Sequence, residues 1–223
     1  MKKARIEKAV KQIEDAFAGV ALGEGVSLRE AEVIDDYGTD EERSEAREQD
    51  EHNDWQRIPD EEIESATSSL CFMDNEGLRF HLPAFMRFTL RRYRQSDSIS
   101  TDSTIYRLCD PHCIEQLAAF LTDEQIDAIK TFLSVCLDVA DGWLDITDAA
   151  LALRCWNNDA AAIEELKAAK ASSMAASLRL GAELRKIDPE LIRKCQSGEA
   201  TEEERQELLR LVNKAQGECG PGG

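Results

Sequence analysis

The chain of 223 residues carries 45 Asp and Glu against 27 Lys and Arg, a formal net charge of −18. So large a carboxylate surplus works against general affinity for DNA, RNA or anionic lipid, because those partners need cations to neutralise phosphates. At 42% hydrophobic and 32% charged residues the composition is globular, enough for one large domain or two small ones.

The basic start at Lys2, Lys3 and Arg5 is followed by charges at Glu7, Lys8, Lys11, Glu14 and Asp15. An ordinary secretion signal needs an unbroken apolar stretch there. No window approaches the ~18 apolar residues that cross a bilayer, so a cytoplasmic location is expected. Seven cysteines, an odd number scattered through helical patterns, point to reduced thiols rather than a disulfide framework.

Ile6, Val10, Ile13 and Phe17 recur at helical spacing and predict an amphipathic helix over residues 3–18. Gly19, Gly23 and Gly25 mark a loop. Ser27-Leu28-Arg29-Glu30 and Thr39-Asp40-Glu41-Glu42 are capping boxes that open two short helices. Leu28 to Ala66 holds 16 Asp and Glu against four Arg, two thirds of the net charge of the chain. Pro59 suits the start of a further helix. Two apolar runs, Ser69 to Met73 and Leu78 to Leu82, flank Asp74-Asn75-Glu76-Gly77 and predict a β-hairpin over 69–82. Pro83 then opens a helix over 84–94 on which Arg87, Arg91 and Arg94 share a face, expected to pair with the acidic helices of the protein itself. Asp110-Pro111 and Thr122-Asp123-Glu124-Gln125 start two more helices.

Asp141-Gly142 reads as a boundary. Beyond it an Ala-rich helix covers 160–187, Asp188-Pro189 ends it, and Thr201 caps a last helix. The expected architecture is mainly α. It has an α-rich domain over 1–140 with one small hairpin, a helical extension over 141–216, and an unstructured tail over 217–223.

Several clusters carry candidate chemistry. Cys109-Asp110-Pro111-His112-Cys113 offers soft ligands for zinc, but no second cluster completes a tetrahedral set, and a capped helix start explains the same residues. No metal and no cofactor is assigned. Cys71 and His81 face each other across the predicted hairpin and, with Asp54, form the only candidate for a small enzyme. Asp35, Asp36, Asp40, Glu41 and Glu42 lack the alternating ligand pattern of a calcium loop and read as a solvated acidic face.

The elements Asp35-Asp36-Tyr37-Gly38, Asp54-Trp55 with Ile58-Pro59, Leu78-Arg79-Phe80-His81-Leu82-Pro83-Ala84-Phe85 and Leu121 to Gln125 form a spaced pattern. Over about residues 5–139 it resembles a bacterial family of domains of unknown function. The resemblance implies a single N-terminal domain and brings no established activity with it. Trp55, Phe80 and Phe85 are expected to meet in the core. The alternative is an open groove lined by Asp54, Trp55, Phe80, His81 and Arg87.

The leading expectation is a protein-binding module, of the immunity or inhibitor type by analogy of class. It would hold a basic partner protein through Asp35, Asp36, Asp40, Glu41, Glu42, Asp54 and Trp55. A small enzyme at the hairpin, or a helical scaffold that dimerises through its C-terminal helices, are the alternatives. No nucleic acid and no membrane is expected as a partner.

Overall fold

Short-range hydrogen bonds set most of the helix starts in the structure, a computed structural model that describes residues 2–219. Among the described residues there are twelve α-helices, two single 3₁₀ turns and no strand. In chain order the helices are α1 (Lys2–Ala16), α2 (Leu28–Asp35), α3 (Asp40–Arg47), α4 (Asp60–Ser65), α5 (Asn75–Arg92) and α6 (Ser100–Leu108). They continue with α7 (Pro111–Phe120), α8 (Asp123–Val139), α9 (Ala149–Trp156), α10 (Ala160–Leu184), α11 (Pro189–Ser197) and α12 (Glu202–Cys219). The 3₁₀ turns are Trp55–Arg57 and Ser69–Cys71.

Thr39 accepts from the Glu42 amide while Glu42 accepts from Thr39 N–H, and Thr122 and Gln125 do the same for α8. Asp110 accepts from Cys113 N–H at 2.7 Å, with Pro111 in the first turn of α7. Each cap satisfies amides that the helix itself leaves unpaired.

The chain divides into two compact units, Met1–Leu166 and Lys167–Gly223. The first is built around α5. Its residues Phe80 to Leu90 are all buried, and α1, α4, α6, α7, α8 and the Trp55 turn pack on it. α1 lies along α8, and α9 along α8. Leu144, Ala149, Ala152, Cys155 and Trp156 join the same core, so the first unit continues past Asp141-Gly142. In the second unit, Asp188 caps α11 through Glu190 N–H at 2.9 Å, and Lys194 reaches Glu204 of α12 at 2.8 Å. Residues 220–223 of the tail lie outside the described residues.

The predicted β-hairpin is not there. Ser69 to Cys71 is a 3₁₀ turn, and Asp74 caps an 18-residue helix by accepting from Gly77 N–H at 2.8 Å. The apolar run that resembled a strand is a helix buried on every side, which shows no polar face and therefore no 3.6-residue period. Pro83 stands inside this helix rather than at its start. A proline there deprives the Arg79 carbonyl of its helical donor, at a cost of about 3 kcal/mol, and the burial of α5 on all sides offsets it.

Glycine is required where the loop before α2 crosses the start of α5. A Cβ on Gly77 would lie 2.4 Å from the Val26 carbonyl oxygen, and one on Gly25 would lie 2.3 Å from Gly77 N. Asp74 also accepts from Val26 N–H at 3.0 Å, so the same contact is both steric and hydrogen-bonded. Gly77→Ala should therefore lower unfolding free energy by about 1–3 kcal/mol in denaturant titration, although alanine has the higher helix propensity. A stabilised variant would show that the loop does not press on α5.

Candidate functional site

The acidic segment sorts its own charges. Arg29 donates to Asp50 through its backbone amide (2.8 Å) and Nη1 (2.6 Å), and to Glu62 through Nη2 (3.1 Å). The Asp50 side chain is only 2% exposed. Arg43 and Arg47 both hold Glu30, at 3.1 and 3.3 Å. Arg47 also donates to the carbonyls of Gly25 and Gly23. These bonds fasten α2, α3, α4 and the glycine loop to one another. Glu51 accepts from the amides of Asn53 and Asp54, which hold its carboxyl below the usual range.

What remains faces water. Asp36, Glu41, Glu45, Glu48 and Glu61 are exposed, and their side chains have no hydrogen bond or ion pair among the described residues. Asp40 is exposed with Arg43 at 3.5 Å, and Glu42 caps α3. Asp35 is half-buried and accepts from Ser68 Oγ at 2.8 Å. Leu28, Arg29, Glu32, Glu61, Glu62 and Ser65 line a groove of about 200 Å³ between α2 and α4. Burial holds the Glu32 carboxyl above its ordinary range, with Arg29 acting in the other direction.

Tyr37 follows the end of α2. Gly38 N–H bonds to the Val33 carbonyl (2.8 Å) and Tyr37 N–H to the Ile34 carbonyl (3.2 Å), the hydrogen bonds of a Schellman C-cap. The left-handed residue of that motif is usually glycine. Here it is Tyr37, with φ of 58° and 96% of its surface exposed. The neighbouring glycine is needed for a different reason: a Cβ on Gly38 would lie 2.4 Å from Val33 Cγ1. The sequence signal that could have revealed this is a bulky residue at the position before the glycine, where helix-end chemistry favours glycine itself.

The open groove of Asp54, Trp55, Phe80, His81 and Arg87 is not formed. Trp55, Phe80 and His81 are at most 1% exposed, and Arg87 is 8% exposed. Asp54 is exposed and caps the 3₁₀ turn through Gln56 N–H. Trp55 Nε1 donates to the Phe17 carbonyl at 2.9 Å. The Arg87 guanidinium stacks 5.2 Å from the Trp55 ring and donates to the carbonyls of Gln56 (3.3 Å) and Ile58 (3.4 Å), with burial lowering its pKa. The other two arginines of the predicted stripe pair with carboxylates: Arg91 with Glu14 at 3.4 Å, and Arg94 with Asp141.

The enzyme reading loses its base. His81 sits inside α5, four residues from Gly77, and its Nδ1 lies 2.9 Å from the Gly77 carbonyl. No substrate reaches an imidazole so enclosed. Cys71 is exposed on its 3₁₀ turn. In the cysteine pair around His112, Cys109 and Cys113 are buried, the Cys113 thiol being pushed up to about 11 by burial. His112 is exposed and bonds Gln116 at 2.9 Å. No described helix is long and apolar enough to cross a membrane.

Residues 6–160 match a family of unknown function, DUF6714. The chain belongs to that family. The DUF6714 span lies inside the first compact unit and takes in the helices α2 to α9, so the charge-sorted segment and the buried α5 are both part of it. No curated protein and no solved structure matches the chain.

Burial pushes the His81 pKa down to about 4 from 6.5. Between those values the unfolded chain binds a proton that the folded chain refuses, so stability falls as pH drops through this window. The slope from His81 alone is up to about 1.4 kcal/mol per pH unit. His81→Gln removes the titrating ring. The difference in unfolding free energy between wild type and H81Q should shift against wild type from pH 6.5 to pH 4, and a constant difference would mean that His81 takes up a proton in the fold.

Proposed function

We propose that this DUF6714 protein is a binding module for a basic protein partner, which it holds along the outer side of α2. The observation that carries the reading is Tyr37. A bulky residue in left-handed backbone costs about 1 kcal/mol relative to glycine, and Tyr37 recovers none of it through packing, since its surface is almost wholly exposed. Tyrosine is enriched among residues that dominate protein interfaces, because it brings large area at low entropic cost and attracts cations to its ring.

Its surroundings supply the complementary charge. Leu28, Glu32 and Asp36 stand four residues apart along α2, so they form one stripe that leads from the groove of Glu32, Glu61 and Glu62 to Tyr37. A lysine or arginine of the partner fits that groove beside Arg29, with its stem against Leu28 and its head at Glu32 and Glu61, since Arg29 already holds Glu62. Asp36, Glu41, Glu45 and Glu48 extend the anionic field and steer the encounter. Because Arg29, Arg43 and Arg47 are held by Glu30, Asp50 and Glu62, little cationic charge is left to offset that field. The part of the earlier expectation that used Trp55 has no place here, since the ring is in the core.

Wild-type protein and Tyr37→Gly, used as baits in cells of the native host, test this reading. The variant should be more stable by up to about 1 kcal/mol, yet should bind the captured partner some thirtyfold more weakly, the loss expected of an interface hot spot. Binding should also weaken steeply as salt rises towards physiological strength, where exposed charges are screened beyond about 8–10 Å. Equal capture by wild type and Y37G, or a complex indifferent to salt, would remove this function.

A further inference from the structure

A second groove, of about 430 Å³, lies between α1 and α8 with Leu153 of α9 at its edge. Its chemistry is the reverse of the α2 face. The charged side chains that line it are Arg5, Lys8 and Lys130, and the polar ones are Gln12, Thr131 and Ser134. No carboxylate lines it, in a chain where acids outnumber bases 45 to 27. Ala9, Val135 and Leu153 supply an apolar wall.

We propose that this groove binds a small phosphate-bearing molecule with an apolar part. Lys8, Gln12, Thr131 and Ser134 have no side-chain hydrogen bond or ion pair among the described residues, so four polar groups on two facing helices are left for a ligand. The start of α1 meets the end of α8, where Arg5 pairs with Asp138. Lys130 pairs with Asp127 at 3.1 Å and keeps only 26% of its side chain exposed. Asp138 and Asp127 thus hold two of the groove's three cations, and Lys8 has no ion pair among the described residues. An ammonium donor on one side of the groove and hydroxyl donors on the other match the several acceptor oxygens of a phosphate. The volume lies within the range of small-molecule sites, and the groove is open to solvent, with Leu153 its most accessible apolar residue. The spacing that builds it is visible in the helices: Arg5, Lys8 and Gln12 share one face of α1, and Lys130, Ser134 and Thr131 one face of α8.

The test uses the full-length protein labelled with nitrogen-15, titrated at constant ionic strength with inorganic phosphate, phenyl phosphate and phenol, and read by backbone amide shifts. Both phosphates should give saturable shifts at α1 and α8, phenyl phosphate the tighter with Kd on the order of 1 mM, and phenol should give none. Lys8→Ala and Ser134→Ala should each weaken phenyl phosphate about tenfold, while Lys3→Ala should leave it unchanged. These side chains are exposed or half-buried, so the variants fold, and the unshifted amides of each spectrum verify it. Shifts that never saturate, phenyl phosphate no tighter than inorganic phosphate, or equal weakening by Lys3→Ala and Lys8→Ala would overturn the site, since each means general attraction to positive charge rather than a built groove.

Discussion

Eleven consecutive residues of α5 are sealed from solvent, and three of them, His81, Arg87 and Thr89, are polar. A buried polar group without a partner costs free energy, and His81 Nε2, Arg87 Nε and Thr89 Oγ1 have no partner among the described residues, so the apolar burial of α5 has to offset them. Arg87 settles its charge without a carboxylate: two backbone carbonyls accept from it and an indole face lies beneath it. Those carbonyls belong to a turn that Asp54 caps, and the indole reaches on to the end of α1 through the Phe17 carbonyl. The spaced motifs Asp54-Trp55, Ile58-Pro59 and Leu78 to Phe85 thus meet in one physical contact around α5. They are separated in sequence because Leu78 to Phe85 lies in the enclosed helix itself, whereas Asp54-Trp55 and Ile58-Pro59 belong to the chain that packs on it together with five helices.

The acidic surplus divides in the same way between structure and surface. In a protein of net charge −18 self-repulsion opposes compaction, and Arg29, Arg43 and Arg47 answer it where it is worst. Each of them bonds carboxylates, and Arg47 also donates to the Gly23 and Gly25 carbonyls of the glycine loop. The segment is therefore neither a plain solvated face nor a metal-like cluster. Its inner carboxylates hold helices together, and its outer ones have no internal task. That division narrows the candidate surface from sixteen acids to a handful around Tyr37.

How much of this was legible in sequence depends on how local each cause is. The capping boxes at Thr39, Thr122 and Thr201 and the Asp110-Pro111 start formed where the sequence placed them, since a cap needs only three or four neighbouring residues. The amphipathic α1 and α8 were legible because each keeps one wet face. α5 was misread because none of its faces is wet, so the apolar run and the Asx-Gly turn imitated a hairpin. α6 escaped notice: its start at Ser100 depends on hydroxyls that reach the Glu64 and Ala66 carbonyls, bonds that span more than thirty residues. α11 opens with Asp188-Pro189, an Asp-Pro pair like the one that starts α7, where the sequence reads only as the end of the preceding helix. Trp55 and His81 were named for chemistry that burial denies them, and burial is a property of the assembled fold rather than of spacing.

Charge sorting also connects the two surfaces. Basic residues are concentrated at the beginning of the chain, with Lys2, Lys3, Arg5, Lys8 and Lys11 in α1. The start of α1 meets the end of α8, where helix carbonyls and the carboxylates of Asp138 and Asp141 favour cations. Packing α1 there stabilises the bundle, and it also moves positive charge away from the α2 face. The anionic character of α2 and α3 and the carboxylate-free groove of α1 and α8 are then two results of one arrangement. A cation moved from α1 to the outer side of α2 would weaken both, since it would leave the groove with one positive charge fewer and offset the field of the outer carboxylates.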